Sequence, residues 1–301
     1  MKIKDILKNS LQVFSEYRRE FYIYSIVWTI LLAVSVMLSS MYQLTFLVIF
    51  CVLFPMQFAF DFIAKKASEH IALKENDFYF GFKKFLSSVI FGSKMAVKGF
   101  IISFLSFVAF TLIASIGVAF LISAWEPGLI EQLVNSSASI QEAYEQIMQV
   151  GWIVELGVIT SVAGLALAAV VYSLVGTNTN LAPLVCFDAP FDPDSGIRIS
   201  REINSHNKKT FMKLNLLFLL FLVVAVGLGF GLYYLLFGYA VVNEIIALFL
   251  AILLSSILIA PINIIYHLAK YQYYMVYGRL EVNKIIEDLK KQQQKMYENQ
   301  K

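Results

Sequence analysis

Residues 99–123 read GFIISFLSFVAFTLIASIGVAFLIS, a run without one charged side chain. As an α-helix, such a run is long enough to cross the roughly 30 Å hydrocarbon core of a bilayer. Its apolar residues are continuous rather than alternating, which excludes a strand of a membrane β-barrel. Five further segments, 21–39, 44–60, 152–176, 213–237 and 245–268, share this character. The shortest, 44–60, carries Pro55 and stops at Asp61. The expected fold is all-α: a polytopic bundle of six transmembrane helices over residues 1–268, then a cytoplasmic amphipathic helix and polar tail over 269–301.

Composition agrees. Of 301 residues, 59% are hydrophobic and 15% charged, against about 25% charged in an ordinary soluble domain. Too few charges remain to cover the outside of a soluble fold of this size. The first apolar run follows a polar, basic leader and lacks a small-residue cleavage motif, so it is read as a retained span and not a signal peptide. Cys51 and Cys186 form neither a disulfide framework nor a metal spacing. They are read as packing residues, and no cofactor is implied.

Basic residues set the orientation, because Lys and Arg near helix ends are retained on the cytoplasmic side. All 24 of them fall before the first span, in the loops after the second and fourth, or after the sixth. The loops on the opposite side hold only acids, among them Glu126, Glu131, Glu142 and Glu145. Six spans with both termini cytoplasmic is the economical solution. Trp125 and Trp152 bracket the long external loop at the depth that indoles favour, and a short acidic helix is expected within it at 139–150. Interleaved aromatic and basic residues at the other ends, such as Phe80-Gly81-Phe82-Lys83-Lys84, are read as a membrane-surface belt rather than a nucleic-acid stacking platform.

The even spans share a pattern at their inner ends. Pro55-Met56-Gln57-Phe58-Ala59-Phe60-Asp61-Phe62 matches Pro261-Ile262-Asn263-Ile264-Ile265-Tyr266-His267-Leu268 in residue type, and Pro183 to Asp188 is a weaker copy preceded by Asn178 and Asn180. Each odd span follows an amphipathic stretch: Ile3, Ile6, Leu7, Leu11 and Phe14; Phe78, Phe82, Phe85, Leu86 and Val89 behind Asp77; Ile199 and Ile203 behind Asp192-Pro193. This suggests three repeated hairpins, each preceded by an interfacial helix and each broken by proline near its inner end.

The proline in the second span, followed by a charged stretch leading to Asp77-Phe78-Tyr79-Phe80-Gly81-Phe82-Lys83-Lys84, resembles the bacterial six-helix proteins related to the membrane domain of glycerophosphoryl diester phosphodiesterase. Asp188, Ser200, Arg201 and Lys208-Lys209 fit that family's second long cytoplasmic segment. The resemblance implies this architecture and a bacterial cytoplasmic membrane, and no activity.

Proline frees a backbone carbonyl one turn back, and in lipid that group needs a partner. Gln57, Asn178, Asn180 and Asn263, with Asp61, Asp188 and His267 a turn further in, could line a polar vestibule facing the cytoplasm. The simpler alternative leaves Asp61 and His267 hydrated at the interface. Gly227 and Gly231 form a G-x-x-x-G face, and Gly164 with Ala168 a similar one, both read as helix-packing surfaces. Motifs of metallohydrolases, serine hydrolases and P-loop enzymes do not occur. His70 before Glu75 only superficially matches an acyltransferase pair. Val282, Ile285, Ile286 and Leu289 make an amphipathic helix for anionic lipid or a protein partner. The function expected is a non-enzymatic envelope or accessory role, with a transporter or lipid-handling protein as the alternative.

Overall fold

The computed structural model describes residues 2–42, 48–125, 128, 151–188, 192–238 and 244–299, and every regular element among them is helical. In chain order these are α1 (Ile3–Glu16), α2 (Arg18–Tyr42), a π-helical turn (Ile49–Leu53) running into α3 (Phe54–Ser68), the single turns α4 (Glu75–Phe78) and α5 (Phe80–Lys83), α6 (Phe85–Trp125), α7 (Gly151–Gly176), α8 (Ala182–Asp188), α9 (Pro193–Gly238), α10 (Glu244–Tyr277) and α11 (Arg279–Asn299). The proposed external helix at 139–150 lies outside the described residues, as does the turn at 43–47. Among the described residues, four helical stretches are long and apolar enough to cross a membrane: Phe85–Trp125, Glu155–Gly176, Asn207–Leu236 and Ile246–Tyr277. The chain is therefore read as a multi-pass membrane protein.

Two compact units form. Residues Val97–Val175 make one, a pair of long helices from α6 and α7. Gly99 faces Tyr172 at one end of the pair, and Gly164 faces Phe107 and Phe110 further along. Numbers rise on one helix as they fall on the other, so the two run antiparallel. A β-carbon at Gly164 would sit 3.1 Å from both rings, so the rings would have to shift by a few tenths of an ångström to admit it.

The other unit contains residues Met1–Ala96 and Gly176–Lys301. Its central element is α10, which packs against α1, α2, α3 and α9. Phe211 stacks on Tyr273, Phe218 meets Tyr266, and Gly229 lies against Ser255 and Ala251. Those pairs descend in register, so α9 and α10 are antiparallel. The core is concentrated at one end of these helices. Ile6, Phe21, Met56, Phe60, Leu184, Ile203, Phe211, Tyr271, Tyr273 and Tyr274 are all fully buried there, whereas Leu220, Val223, Leu228, Tyr234 and Leu235 along the apolar part of α9 are exposed. Lipid-facing spans need no such core, because acyl chains solvate leucine as well as leucine does.

The helices extend beyond the apolar segments. The one that carries the end of the second segment, α3, runs past Asp61 to Ser68, and His70 beyond its cap is left-handed (φ 56°). The third and fifth segments are the apolar parts of much longer helices, and α9 is interrupted only at Asn207, whose backbone leaves the helical region and whose carbonyl accepts from Tyr273 Oη. The division at residue 268 falls inside α10, where Leu268, Ala269 and Tyr271 are core residues.

Nor do the prolines break their helices alike. Pro183 stands second in α8, where no backbone donor is needed, whereas Pro55 follows directly on the π-helical turn Ile49–Leu53. Pro261 lies within the unbroken α10. The ring forfeits one bond there, but packing of α10 on several neighbours holds the helix through it.

The first and third amphipathic stretches and the tail helix turn much of their apolar faces to protein. Ile6 and Val13 of α1 are buried, and Phe14 stacks on Phe21 at 5.3 Å. Ile199 and Ile203 are buried too, as is Val282 of α11, with Ile285 and Ile286 packed beside it. Asp192 caps α9 ahead of Pro193, and hydrogen bonds from Ser195 hold its carboxyl below the usual carboxylate range.

The G-x-x-x-G reading is also corrected. A methyl group built on Gly227 or Gly231 meets nothing within 4 Å, while one on Gly229 would overlap Ser255. Two residues on from Gly227 is the opposite side of a helix, so the close approach to α10 belongs to the intervening glycine.

Candidate functional site

Gln57, Asp61, Lys65 and Glu69 recur every four residues along α3 and therefore share one face. His267, Lys270, Tyr271 and Tyr274 make the matching face of α10. Numbers rise together across the seam, from Gln57 beside His267 to Glu69 beside Tyr271, so these two helices are parallel.

The centre of the seam is Asp61, 2% exposed. Its Oδ1 lies 2.6 Å from His267 Nδ1, and its Oδ2 accepts from Lys270 Nζ at 2.7 Å. His267 and Lys270 are as deeply buried as Asp61. On the other side of the imidazole, Nε2 lies 2.5 Å from Gln57 Oε1. A neutral ring donating from Nδ1 would present Nε2 as an acceptor, and Gln57 would turn its amide nitrogen toward it. A doubly protonated ring donates to Gln57 Oε1 as the amide now stands. Phe60 and Tyr266 flank the imidazole, with ring centroids 5.7 Å and 5.5 Å away. Asp61 and His267 are thus not hydrated at an interface.

The seam continues one turn along. Lys65 Nζ donates to Asp188 at 2.5 Å and to the Phe187 carbonyl at 2.9 Å, and Tyr274 Oη donates to the second oxygen of Asp188 at 2.8 Å. Glu69 then accepts from Tyr271 Oη at 2.8 Å and pairs with Arg279 at 3.3 Å. Through Asp188 and Arg279 the seam ties α8 and the start of α11 to the α3–α10 pair.

A second, uncharged network lies on the neighbouring face of α10. Asn180 Nδ2 donates to Tyr266 Oη at 3.2 Å, and Tyr266 Oη donates to Asn215 Oδ1 at 3.0 Å. Asn215 Nδ2 reaches Thr177 Oγ1 at 3.0 Å, and Asn204 Nδ2 the Thr177 carbonyl at 2.7 Å. Asn178 takes part through its carbonyl, which accepts from Ser200 Oγ. The turn after α7 is thereby fastened to both segments of α9.

The residues named from the sequence therefore divide. Gln57, Asp61 and His267 meet in one cluster; Asp188 belongs to the next turn of the seam; Asn178 and Asn180 belong to the uncharged network; and Asn263 joins neither, its buried Nδ2 having no hydrogen-bond partner. The sequence reading missed Lys65, Glu69, Lys270, Tyr271 and Tyr274, although the four-residue spacing on α3 was visible. It also missed Asn204, Asn215 and Tyr266, which no local pattern brings together.

Cys186 packs against Gly196, and burial, with Asp192 nearby, pushes its thiol up to about 12. Such a thiol stays protonated and is a poor nucleophile. His70 faces Glu16 at 3.3 Å rather than forming a catalytic pair with Glu75. No group of three or more His, Cys, Asp or Glu suited to a metal occurs among the described residues. The chain matches no family model, no curated protein and no solved structure.

Proposed function

We propose that the protein is a non-enzymatic accessory protein of a bacterial cytoplasmic membrane. In this reading six helices cross the bilayer, both termini are cytoplasmic, and the helices form three repeated hairpins. The observation that carries the role is the condition of the polar residues. Asp61, His267, Lys270, Gln57, Lys65 and Asp188 are engaged by one another and by Phe187 and Tyr274 beside packed aromatic rings. Groups so engaged hold helices in register; a transport site would have to release them for a substrate. The parallel course of α3 and α10 is what two even-numbered spans require. Anionic lipid on the cytoplasmic side, and a protein bound through the part of α11 beyond Ile286, are the partners this reading expects.

Copurification from native membrane tests the role. A stable companion protein or defined lipid, retained by the wild type in mild detergent, is expected. Substrate-dependent flux through proteoliposomes that vanishes on Gln57→Leu would instead establish the transporter.

Orientation has its own measurement. In a background lacking Cys51 and Cys186, a cysteine at Ala138 should react with an impermeant maleimide in intact cells. One at Ser205 should react only after permeabilisation. The reverse pattern would overturn the topology.

A further inference from the structure

Between α4 and the start of α6 the chain exposes a patch that the protein itself does not cover. Tyr79 is 49% exposed, Phe85 43% and Leu86 72%. Lys83 and Lys84 between them are exposed as well, and neither has a carboxylate partner among the described residues. The opposite side of the same segment is firmly seated. Phe78 and Ser88 are buried, Phe80 stacks on Phe62 at 3.8 Å, and Gly81 lies so close to the Pro55 carbonyl that a side chain there would overlap it.

The seating also fixes where the segment lies along α3. Gly81 meets Pro55, and Gly92 meets the ring of the adjacent Phe54. The segment is thus seated on α3 at both ends, with Phe78 and Phe80 packed on Phe60 and Phe62. Phe54 and Pro55 belong to the apolar run 44–60. Phe60 and Phe62, which Phe78 and Phe80 meet, mark the end of that run; if the run crosses the bilayer with this end inside, the segment ahead of α6 lies at its cytoplasmic end.

We infer that Tyr79–Leu86 is an interfacial foot that binds anionic phospholipid, an inference resting on the membrane topology proposed above. Tyr79, Phe85 and Leu86 enter the boundary between acyl chains and headgroups, and Lys83 and Lys84 meet the phosphates. Exposed aromatic and aliphatic side chains beside unpaired ammonium groups suit that boundary, where an apolar layer and a layer of negative charge are adjacent. A soluble acidic partner would account for the lysines and leave Leu86 unexplained. The face differs from the one periodicity suggests: Phe78 and Phe82 turn to the protein, and the lipid face begins with Phe85.

The test uses the full-length protein, free of Cys51 and Cys186, in nanodiscs of phosphatidylcholine mixed with phosphatidylglycerol. A fluorophore is placed on Leu86→Cys or, as a mid-span control, on Leu112→Cys. Quenching is read with doxyl-labelled lipid of either headgroup and with aqueous iodide. The Leu86 label should be quenched by lipid, and more by the anionic one, up to about fivefold for each lysine at the surface. Lys83→Gln with Lys84→Gln should abolish that preference while lipid quenching persists. Iodide quenching at Leu86 with lipid quenching at Leu112 overturns the foot and leaves the membrane reading standing. Iodide quenching at both overturns the membrane reading itself. Equal quenching by the two lipids, unchanged in the double lysine variant, overturns the anionic assignment.

Discussion

Asp61→Ala should cost about 3–5 kcal/mol of stability, because it leaves a buried ammonium without its counter-charge. Among the described residues Lys270 Nζ has one partner, Asp61 Oδ2, and Lys270 is 4% exposed. His267 would lose its Nδ1 partner in the same step. Unfolding in detergent micelles, followed by near-ultraviolet circular dichroism, would read the loss, and the yield of folded protein should fall with it. Lys270→Met should be comparably damaging, since it strands a buried carboxylate. The double variant Asp61→Leu with Lys270→Met should recover much of the loss, because a buried ion pair replaced by apolar residues of similar volume is often neutral or better. A single-variant cost below about 1 kcal/mol would mean that the pair behaves like a solvated surface bridge, and the seam would then not organise the helices.

Gly81→Ala should destabilise by about 1–3 kcal/mol or more, the range for forcing extra volume into a packed site. A β-carbon at Gly81 would overlap the carbonyl oxygen and carbon of Pro55. These are backbone atoms, so no rotamer change relieves the clash. The turn α5 must lift from α3, carrying Phe80 away from its stack on Phe62. Gly227→Ala is the control. Nothing lies within 4 Å of a β-carbon there, and alanine is preferred to glycine in a helix by roughly 0.5–1 kcal/mol. The two substitutions should therefore shift the midpoint of thermal unfolding in opposite directions. Equal shifts would show that Gly81 does not make the close approach described.

Helical class and the apolar spans were legible in single runs of residues, because a segment in lipid must satisfy its own backbone and carry apolar side chains throughout. That requirement is local and leaves its mark on 99–123 without reference to any other segment. Gln57, Asp61 and His267 stood out for the same reason, as polar groups where such groups are costly. Their partners did not. Lys270 reads as one more cytoplasmic cation, and only the packing of α10 against α3 makes it the buried counter-ion of Asp61. Glycine pattern likewise pointed to Gly227 and Gly231, whereas contact with α10 selected Gly229. An amphipathic helix presents an apolar face that lipid and protein satisfy equally well, so α1, the start of α9 and α11 could not be assigned from periodicity. The buried aromatic ends of α2, α9 and α10 offered these helices a protein surface, and that tertiary choice placed the core beside the spans.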